Sequence, residues 1–258
     1  MQYSLAYRRI LNRMGYDNYQ HNLIYRHLDQ EDGWDNHLKK CRNFILRAMD
    51  FHNPSVVTLL GSGWLLDVPL KELSERTDLI NLVDILHPSE VRAQAAGLKN
   101  VVLRGNDVTG GLILNTWKEA RYRLFLRKLA TLNNILVPEY QPDFETGLVI
   151  SVNIMTQLEF LPVEFLKKRS DVPDEEYIRF RKEIQEKHLL FLKKHKSALI
   201  TDVAEIITDR SGKSQEVPSL LAELPPGKIN EEWTWNFDAR RSDYYNKRSV
   251  FRVSALIY

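Results

Sequence analysis

Four short clusters, each at the end of an apolar run, hold the residues of this chain whose types and spacing could do chemistry. Gly61-Ser62-Gly63 follows the run Val56–Leu60, and Asp84 comes roughly twenty residues later, a spacing with its own meaning. Asn106-Asp107-Val108 follows the run at 101–103, and Ser151-Val152-Asn153 closes the run at 148–153. Gly61 and Gly63 can take backbone angles closed to other residues and let a ligand approach the main chain. A carboxylate at the distance of Asp84 is the usual acceptor for a ribose diol, each charge-assisted hydrogen bond contributing about 1.5–3 kcal/mol. Asp107 can accept from an adenine amino group. Taken together the clusters describe an adenosine site.

What is missing narrows the ligand. A pyrophosphate cofactor favours G-x-G-x-x-G, and the third glycine position is Leu66 here. No G-x-x-x-x-G-K-[ST] occurs, which removes a P-loop. An adenosine ligand without a pyrophosphate fits the residues present.

These clusters need strands to carry them. Val56–Leu60 has no polar alternation except Thr58, which suits a strand covered on both faces of a parallel sheet. Further strands are expected at 79–86, 101–103, 148–153 and 198–203, separated by helices at 68–76, 89–96 and 112–136 and by one carrying Tyr177, Phe180, Ile184, His188 and Phe191 on one face. Asp67 is expected as the N-cap of the first of these helices, with Pro69 in its first turn. In the helix at 112–136, Tyr122, Phe125, Leu126, Leu129 and Leu132 form the buried stripe, and Arg121, Arg123, Arg127 and Lys128 form a solvated face. His188 reads as a hydrogen-bonded core histidine. Strands separated by helices imply right-handed crossovers, whereas two closing strands at 232–237 and 249–258, joined only by a loop with Arg240, Arg241 and Asp243, must pair antiparallel.

The first fifty residues read as three helices broken at Gly15 and Asp32-Gly33. One face of each recurs at helical spacing: Tyr7, Ile10, Leu11 and Met14, then Gln20, Leu23, Ile24, His27 and Leu28, then Trp34, Leu38, Cys41, Ile45 and Met49. Residues 1–52 are expected to form a helical cap and 53–258 the sheet domain. Tyr19, Gln20, His21 and Trp34 from the cap, with Gln157 after the fourth strand, are the candidates for touching a second substrate.

Composition bounds the function classes. The chain has 258 residues, 43% hydrophobic and 27% charged, with a formal net charge of +2. That charge makes no case for nucleic acid as a partner. One cysteine, Cys41, rules out an internal disulfide and a Cys-based zinc cluster, and no metal is expected. No apolar run reaches the roughly 20 residues of a membrane span, so a cytoplasmic protein without a membrane partner is expected.

With these motifs in place, residues 56–258 resemble the class I, Rossmann-like S-adenosylmethionine-dependent methyltransferases. LLGSGWLLDVPL is similar to the first cofactor motif, LVDILHP to the acidic second, RGNDVTG to the adenine-side third, and LVISVNIMTQL to the strand facing substrate. The resemblance implies a seven-stranded, mostly parallel sheet with helices on both faces and a C-terminal antiparallel hairpin. It implies S-adenosylmethionine as cofactor, with Gly61, Ser62, Gly63 and Trp64 under its methionine and ribose portions. Asp84 and Ile85 would sit at the ribose, Asp107 and Val108 at adenine, and Ser151, Val152 and Asn153 at the sulfonium end. The chain departs from the family at Leu59, where an acidic residue often stands two positions before the first glycine. No catalytic residue is assigned, since methyl transfer needs mainly alignment. SVNIM lacks the Asn-Pro-Pro-Tyr type of motif used on base or amide nitrogens, which points to a small-molecule acceptor, with a protein acceptor as second choice. A nicotinamide or nucleotide binder, and a methyltransferase-like scaffold without turnover, are the other classes the sequence leaves open.

Overall fold

The computed structural model describes residues 3–121, 128–239 and 247–258. Eight strands form one sheet: β1 (Val56–Leu60), β2 (Leu79–Asp84), β3 (Val101–Gly105), β4 (Leu148–Val152), β5 (Ser197–Thr208), β6 (Ser214–Pro218), β7 (Ile229–Asp238) and β8 (Arg248–Ile257). Their order is β3-β2-β1-β4-β5-β8-β7, with β6 paired to β5. The first five run parallel, and β8 lies antiparallel between β5 and β7. This is the mostly parallel sheet with an antiparallel ending that the alternation of runs predicts.

The helices are α1 (Leu5–Met14), α2 (Tyr16–Asp29), α3 (Asp35–His52), α4 (Leu70–Ser74), α5 (Ser89–Ala96), α6 (Leu112–Ala120), α7 (Phe160–Lys167) and α8 (Asp174–Lys193). They cover both faces, because successive residues of a strand point to opposite sides. Val57, Leu59, Leu148 and Ile150 meet Cys41, Ile45, Met49 and Leu73 on one face. Leu60, Val149 and Leu199 meet Leu112, Phe165, Ile184 and Leu192 on the other. Every residue of β1 and β4 is buried, as their nearly continuous apolar runs require. The third helix is thus a layer of the sheet's core, and the segment standing over the carboxyl edge is α1 and α2.

α1 is well specified: Ser4 caps it, accepting from the Tyr7 amide at 3.2 Å, Gly15 closes it at φ 93°, and Leu11 and Met14 are buried. α2 buries no residue completely, and Leu28, expected on its apolar stripe, is 67% exposed. Tyr16 packs against the core and Tyr19 against Phe160, and polar contacts add to them. Trp64 Nε1 donates to the Gln20 carbonyl at 3.0 Å, and at the far end Arg26 and Gln30 donate to Asp238 at 3.0 and 3.1 Å.

The structure corrects three expectations. The sheet has an eighth strand: β5 runs on to Thr208, and the chain turns at Asp209–Gly212 to pair β6 against its extension. Among the described residues the helix begun at Leu112 stops at Ala120. Leu129 and Leu132 are buried as the stripe required, but in irregular chain tied to the α7–α8 connection and to the first turn of α8, Leu129 N donating to Arg169 O at 3.0 Å and Leu132 N to Glu176 Oε2 at 2.8 Å. Apolar spacing gave their burial, while these backbone anchors replaced the helix. The third correction is at Asp67, which caps nothing: α4 begins after Pro69. Tyr122, Arg123, Phe125, Leu126 and Arg127, and Arg240, Arg241 and Asp243, lie outside the described residues.

Gly147 enters β4 at φ 58°, and a Cβ there would lie 2.0 Å from the Val56 carbonyl oxygen. Gly147→Ala therefore must push β4 off β1 at the centre of the sheet. It is expected to lower unfolding free energy by about 3 kcal/mol or more in a urea titration; a loss of under about 1 kcal/mol would contradict this packing.

Candidate functional site

The four clusters do converge. Residues from the ends of β3, β2, β1 and β4 line one cavity of about 1050 Å³, its open mouth included, roofed by α2 and by Trp34. Gly61, Ser62, Gly63, Trp64, Asp84, Ile85, Asp107, Val108, Val152 and Asn153 all line it, as do Tyr19, Gln20, Trp34 and Gln157. Its mostly apolar and aromatic lining with a few convergent polar groups is the make-up of a small-molecule site.

The glycine turn is built by backbone bonds to the neighbouring strand. Gly61 N donates to Val83 O at 2.9 Å, and Gly63 N donates to Asp84 Oδ2 at 2.8 Å. The two glycines do different work. A Cβ on Gly61, at φ 81°, would strike Ile154 Cβ at 2.7 Å and Val152 O at 2.8 Å, so Gly61 makes room for the chain leaving β4. On Gly63, at φ 44°, it would meet nothing nearer than 3.8 Å. That glycine faces open space.

Asp84 is 4% exposed, and burial pushes its carboxyl up to about 6 despite the amides of Gly63, Leu86 and Ile85 that favour its charge. Gln20 Nε2 approaches its Oδ1 at 3.4 Å. Asp107 is raised for the same reason, burial, and is held by the Thr109 amide at 2.9 Å, the Thr109 hydroxyl, and Tyr7 Oη at 3.0 Å. The Tyr7 hydroxyl is in turn held well above its ordinary value by burial and by that carboxylate. Each carboxylate thus already receives a donor from α1 or α2, at the positions where ligand hydroxyl or amino groups would donate.

Beyond the glycine turn lies a second polar group that sequence reasoning did not assemble. Asn153, at φ 49°, sets its amide nitrogen 2.8 Å from Asp67 Oδ2, 3.1 Å from His37 Nε2 and 3.6 Å from Cys41 Sγ. Trp233 Nε1 donates to His37 Nδ1 at 3.0 Å, and the imidazole stacks on Trp235 with centroids 4.0 Å apart. His37 lay among charged residues on α3, so no spacing signal marked it. His37, Cys41 and Asp67 are close enough to suggest a metal, their ligand atoms lying within 4.8 Å of one another. The donor chemistry opposes it. An indole N–H can only donate, so Nδ1 must be unprotonated and the ring proton sits on Nε2, the atom a metal would need.

Two expected site residues are not brought to the cavity. Ser151 faces the opposite side of the sheet from Val152, its hydroxyl 2.8 Å from His188 Nε2, because successive residues of β4 alternate sides, while Asn153 lies past the end of the strand at φ 49°. His188 is the hydrogen-bonded core histidine that its apolar stripe predicts. His21 points to solvent, its Nδ1 2.8 Å from the Asp17 carbonyl one helical turn back. In exchange the cavity gains Tyr16, Leu23, His37, Asp67, Leu161 and Trp235.

Ligands of open parallel sheets lie beyond the carboxyl ends of the strands, as this cavity does. The fold is Rossmann-like. No protein-family model matches the chain, and none of the curated proteins does. Solved structures that overlay on it include a DhpI-SAH complex, at 12% identity over 96% of this chain and 97% of that one, with a TM-score of 0.38. Another is the N-methyltransferase NodS from Bradyrhizobium japonicum in complex with S-adenosyl-L-homocysteine, at 8% identity over 84% and 85% of the two chains, TM-score 0.30. A third is the glycopeptide N-methyltransferase MtfA complexed with S-adenosyl-L-methionine, at 11% identity over 86% and 87%, TM-score 0.31. Scores this low decide nothing about this chain, whose own residues must carry its reading.

The raised carboxyl of Asp84 has a consequence for stability. Folded protein keeps this proton to about pH 6, whereas an unfolded aspartate loses it near its ordinary value of 3.8. Between those values the folded state binds more protons, so stability falls as pH rises through the window. Asp84→Asn removes the charge and keeps an acceptor for Gly63. It is expected to stabilise the ligand-free protein at pH 7.5 by about 2–3 kcal/mol, and by little at pH 4. Urea titrations at the two pH values check this; equal effects at both would contradict it.

Proposed function

We propose that the chain is an S-adenosylmethionine-dependent methyltransferase acting on a small-molecule acceptor. The observation that carries this reading is the convergence of Asp84 and Asp107, from the ends of adjacent strands, on one cavity beside the glycine turn. The residues fit an adenosine: two buried carboxylates for a ribose diol and an adenine amino group, with Ile85 and Val108 beside them. They fit a pyrophosphate poorly, because Leu66 stands at the third glycine position.

When bound, S-adenosylmethionine supplies a methyl carbon activated by a positive sulfur. The chain's part is to align and to exclude water. Asp84 and Asp107 would fix the nucleoside, and Trp64 and Gln20, joined at 3.0 Å, would close α2 over it. The acceptor would enter between α2 and the loop after β4, against Tyr19, Leu23, Trp34, Leu158, Leu161 and Trp235. That apolar and aromatic lining supports a small organic acceptor. Gln157, whose Oε1 lies 3.4 Å from Tyr19 Oη, could orient its polar end. No residue is assigned as general base. For the expected cytoplasmic location, the chain offers only that no described helix is long and apolar enough to cross a membrane.

Opening the site means parting Tyr7 from Asp107 and Gln20 from Asp84, so that ligand donors take the places of these protein donors. S-adenosylhomocysteine at 100 times its dissociation constant is expected to stabilise the protein by about 2.7 kcal/mol, read as a rise in melting temperature, while NAD and ATP at the same concentration shift it less. Asp84→Ala should weaken S-adenosylhomocysteine binding by roughly 2–4 kcal/mol in calorimetry. A larger shift with NAD would favour a nicotinamide-binding protein. S-adenosylhomocysteine binding without methyl consumption in the presence of broad acceptor mixtures would favour a scaffold.

A further inference from the structure

The charges around the acceptor end of the cavity restrict what can react there. Asp67, Asp84 and Asp107 line the cavity, and among the described residues no lysine or arginine does. Arg26, whose charge reaches Tyr19, is held by the fully buried Asp238 at 3.0 Å. A further carboxylate stands behind this end. Asp202 in β5 is 8% exposed, takes the Thr156 hydroxyl at 2.5 Å and lies near enough to Tyr19 to raise its hydroxyl. Arg181, whose charge reaches Asp202, is held by Glu159 at 2.5 Å. A carboxylate or phosphate brought here would be buried among like charges with no lining cation to meet it, a burial that an unpaired ion cannot recover.

The side chains around Trp34 and Trp235 also offer no base. His37 is the imidazole of this wall, and both its nitrogens are committed. Nδ1 accepts from Trp233 at 3.0 Å, so Nε2 carries the proton, and burial pushes the ring down to about 3. Tyr19 keeps its proton, raised by burial first and by Asp202 second, and directs it to Gln157 Oε1 at 3.4 Å. Gln157 gives its own amide to the Asn153 carbonyl. Asp67, beyond His37, already holds the Asn153 side-chain amide at 2.8 Å. An alcohol or phenol must shed a proton to become a good nucleophile, whereas a neutral amine has its lone pair ready.

We propose that the acceptor is an amine, which presents an unprotonated nitrogen to the methyl carbon. This rests on the methyltransferase reading above and narrows its substrate class. The nitrogen lone pair forms the new bond to carbon while the carbon–sulfur bond breaks and leaves its electron pair on sulfur. Positive charge thereby moves from sulfur to nitrogen, and a proton on that nitrogen, where there is one, passes to water afterwards. The surroundings favour that movement. Tyr19, Trp34 and Trp235 line the end where the charge arrives, and aromatic rings and nearby carboxylates both stabilise a cation.

The test uses the full chain saturated with S-adenosylhomocysteine and a panel of matched triplets, one aryl-alkyl skeleton ending in an amine, a hydroxyl or a carboxylate. Phenethylamine, phenylethanol and phenylacetate form the smallest set; tryptamine, tryptophol and indole-3-acetate form a larger one. In calorimetry an amine should bind at least about tenfold tighter than its carboxylate counterpart. With S-adenosylmethionine in place of the product, methyl should pass to amines and to neither of the other classes. The pH profile then separates a free lone pair from a protein base: kcat/KM should rise through the pKa of the free amine, and the midpoint should fall with a less basic, β-fluorinated analogue. A midpoint that stays fixed for both amines identifies a protein base and overturns the proposal. Tighter binding of the carboxylates, or methyl transfer to the alcohols or carboxylates, overturns it as well. If the protein binds S-adenosylhomocysteine but no amine of the panel, this proposal alone falls. Failure to bind S-adenosylhomocysteine overturns it together with the methyltransferase reading.

Discussion

The hydrogen bond from the Gly63 amide to Asp84, 2.8 Å long, couples the end of β1 to the end of β2 and fixes where the cavity floor lies. It is made in a place where a carboxylate is costly, buried and drawn up to about 6. A fold selected only for stability would have an uncharged group there, since burial of an ion is offset only in part by backbone donors. The cavity, the glycine turn and the position of α2 all follow from keeping it. Asp107 repeats the same construction one strand further along, held by Thr109 and Tyr7.

Because both carboxylates need donors, the ligand-free protein supplies them from its N-terminal helices. α1 is anchored by Leu11 and Met14, whereas α2 buries no residue completely and is held by partly buried aromatic contacts and by polar contacts at its two ends. Contacts of this kind contribute roughly 1 kcal/mol each and exchange readily for those of a ligand. A helix with no fully buried residue therefore stands over the site, where access to the cavity needs movement.

How much of this was legible in the chain depended on which force placed each residue. The strands were readable because burial on both faces leaves a nearly continuous apolar run, as in Val56–Leu60 and Leu148–Val152. Asp84 and Asp107 were readable because a strand end and a crossover fix their position to within a residue. Ser151 was misplaced because the period of two along β4 was not followed to its end, and His21 because a helix position was taken without its face. The Asp67, His37 and Asn153 corner could not be read, since it joins α3, the loop before α4 and the end of β4 through contacts that no local pattern records. β6 was missed for a different reason: Ser214–Pro218 is exposed throughout, so burial left no pattern in its sequence. The region after Ala120 kept its buried leucines but not its helix, because apolar spacing reports burial more directly than backbone conformation.

The central claim is that Asp84 exchanges its contact with Gln20 for a ribose diol. A crystal structure determined with S-adenosylhomocysteine tests it most directly. The expected result is both ribose hydroxyls on the Asp84 carboxylate, the Gly63 contact kept, and Gln20 withdrawn. A nucleoside bound elsewhere, with Gln20 still against Asp84, would contradict the account.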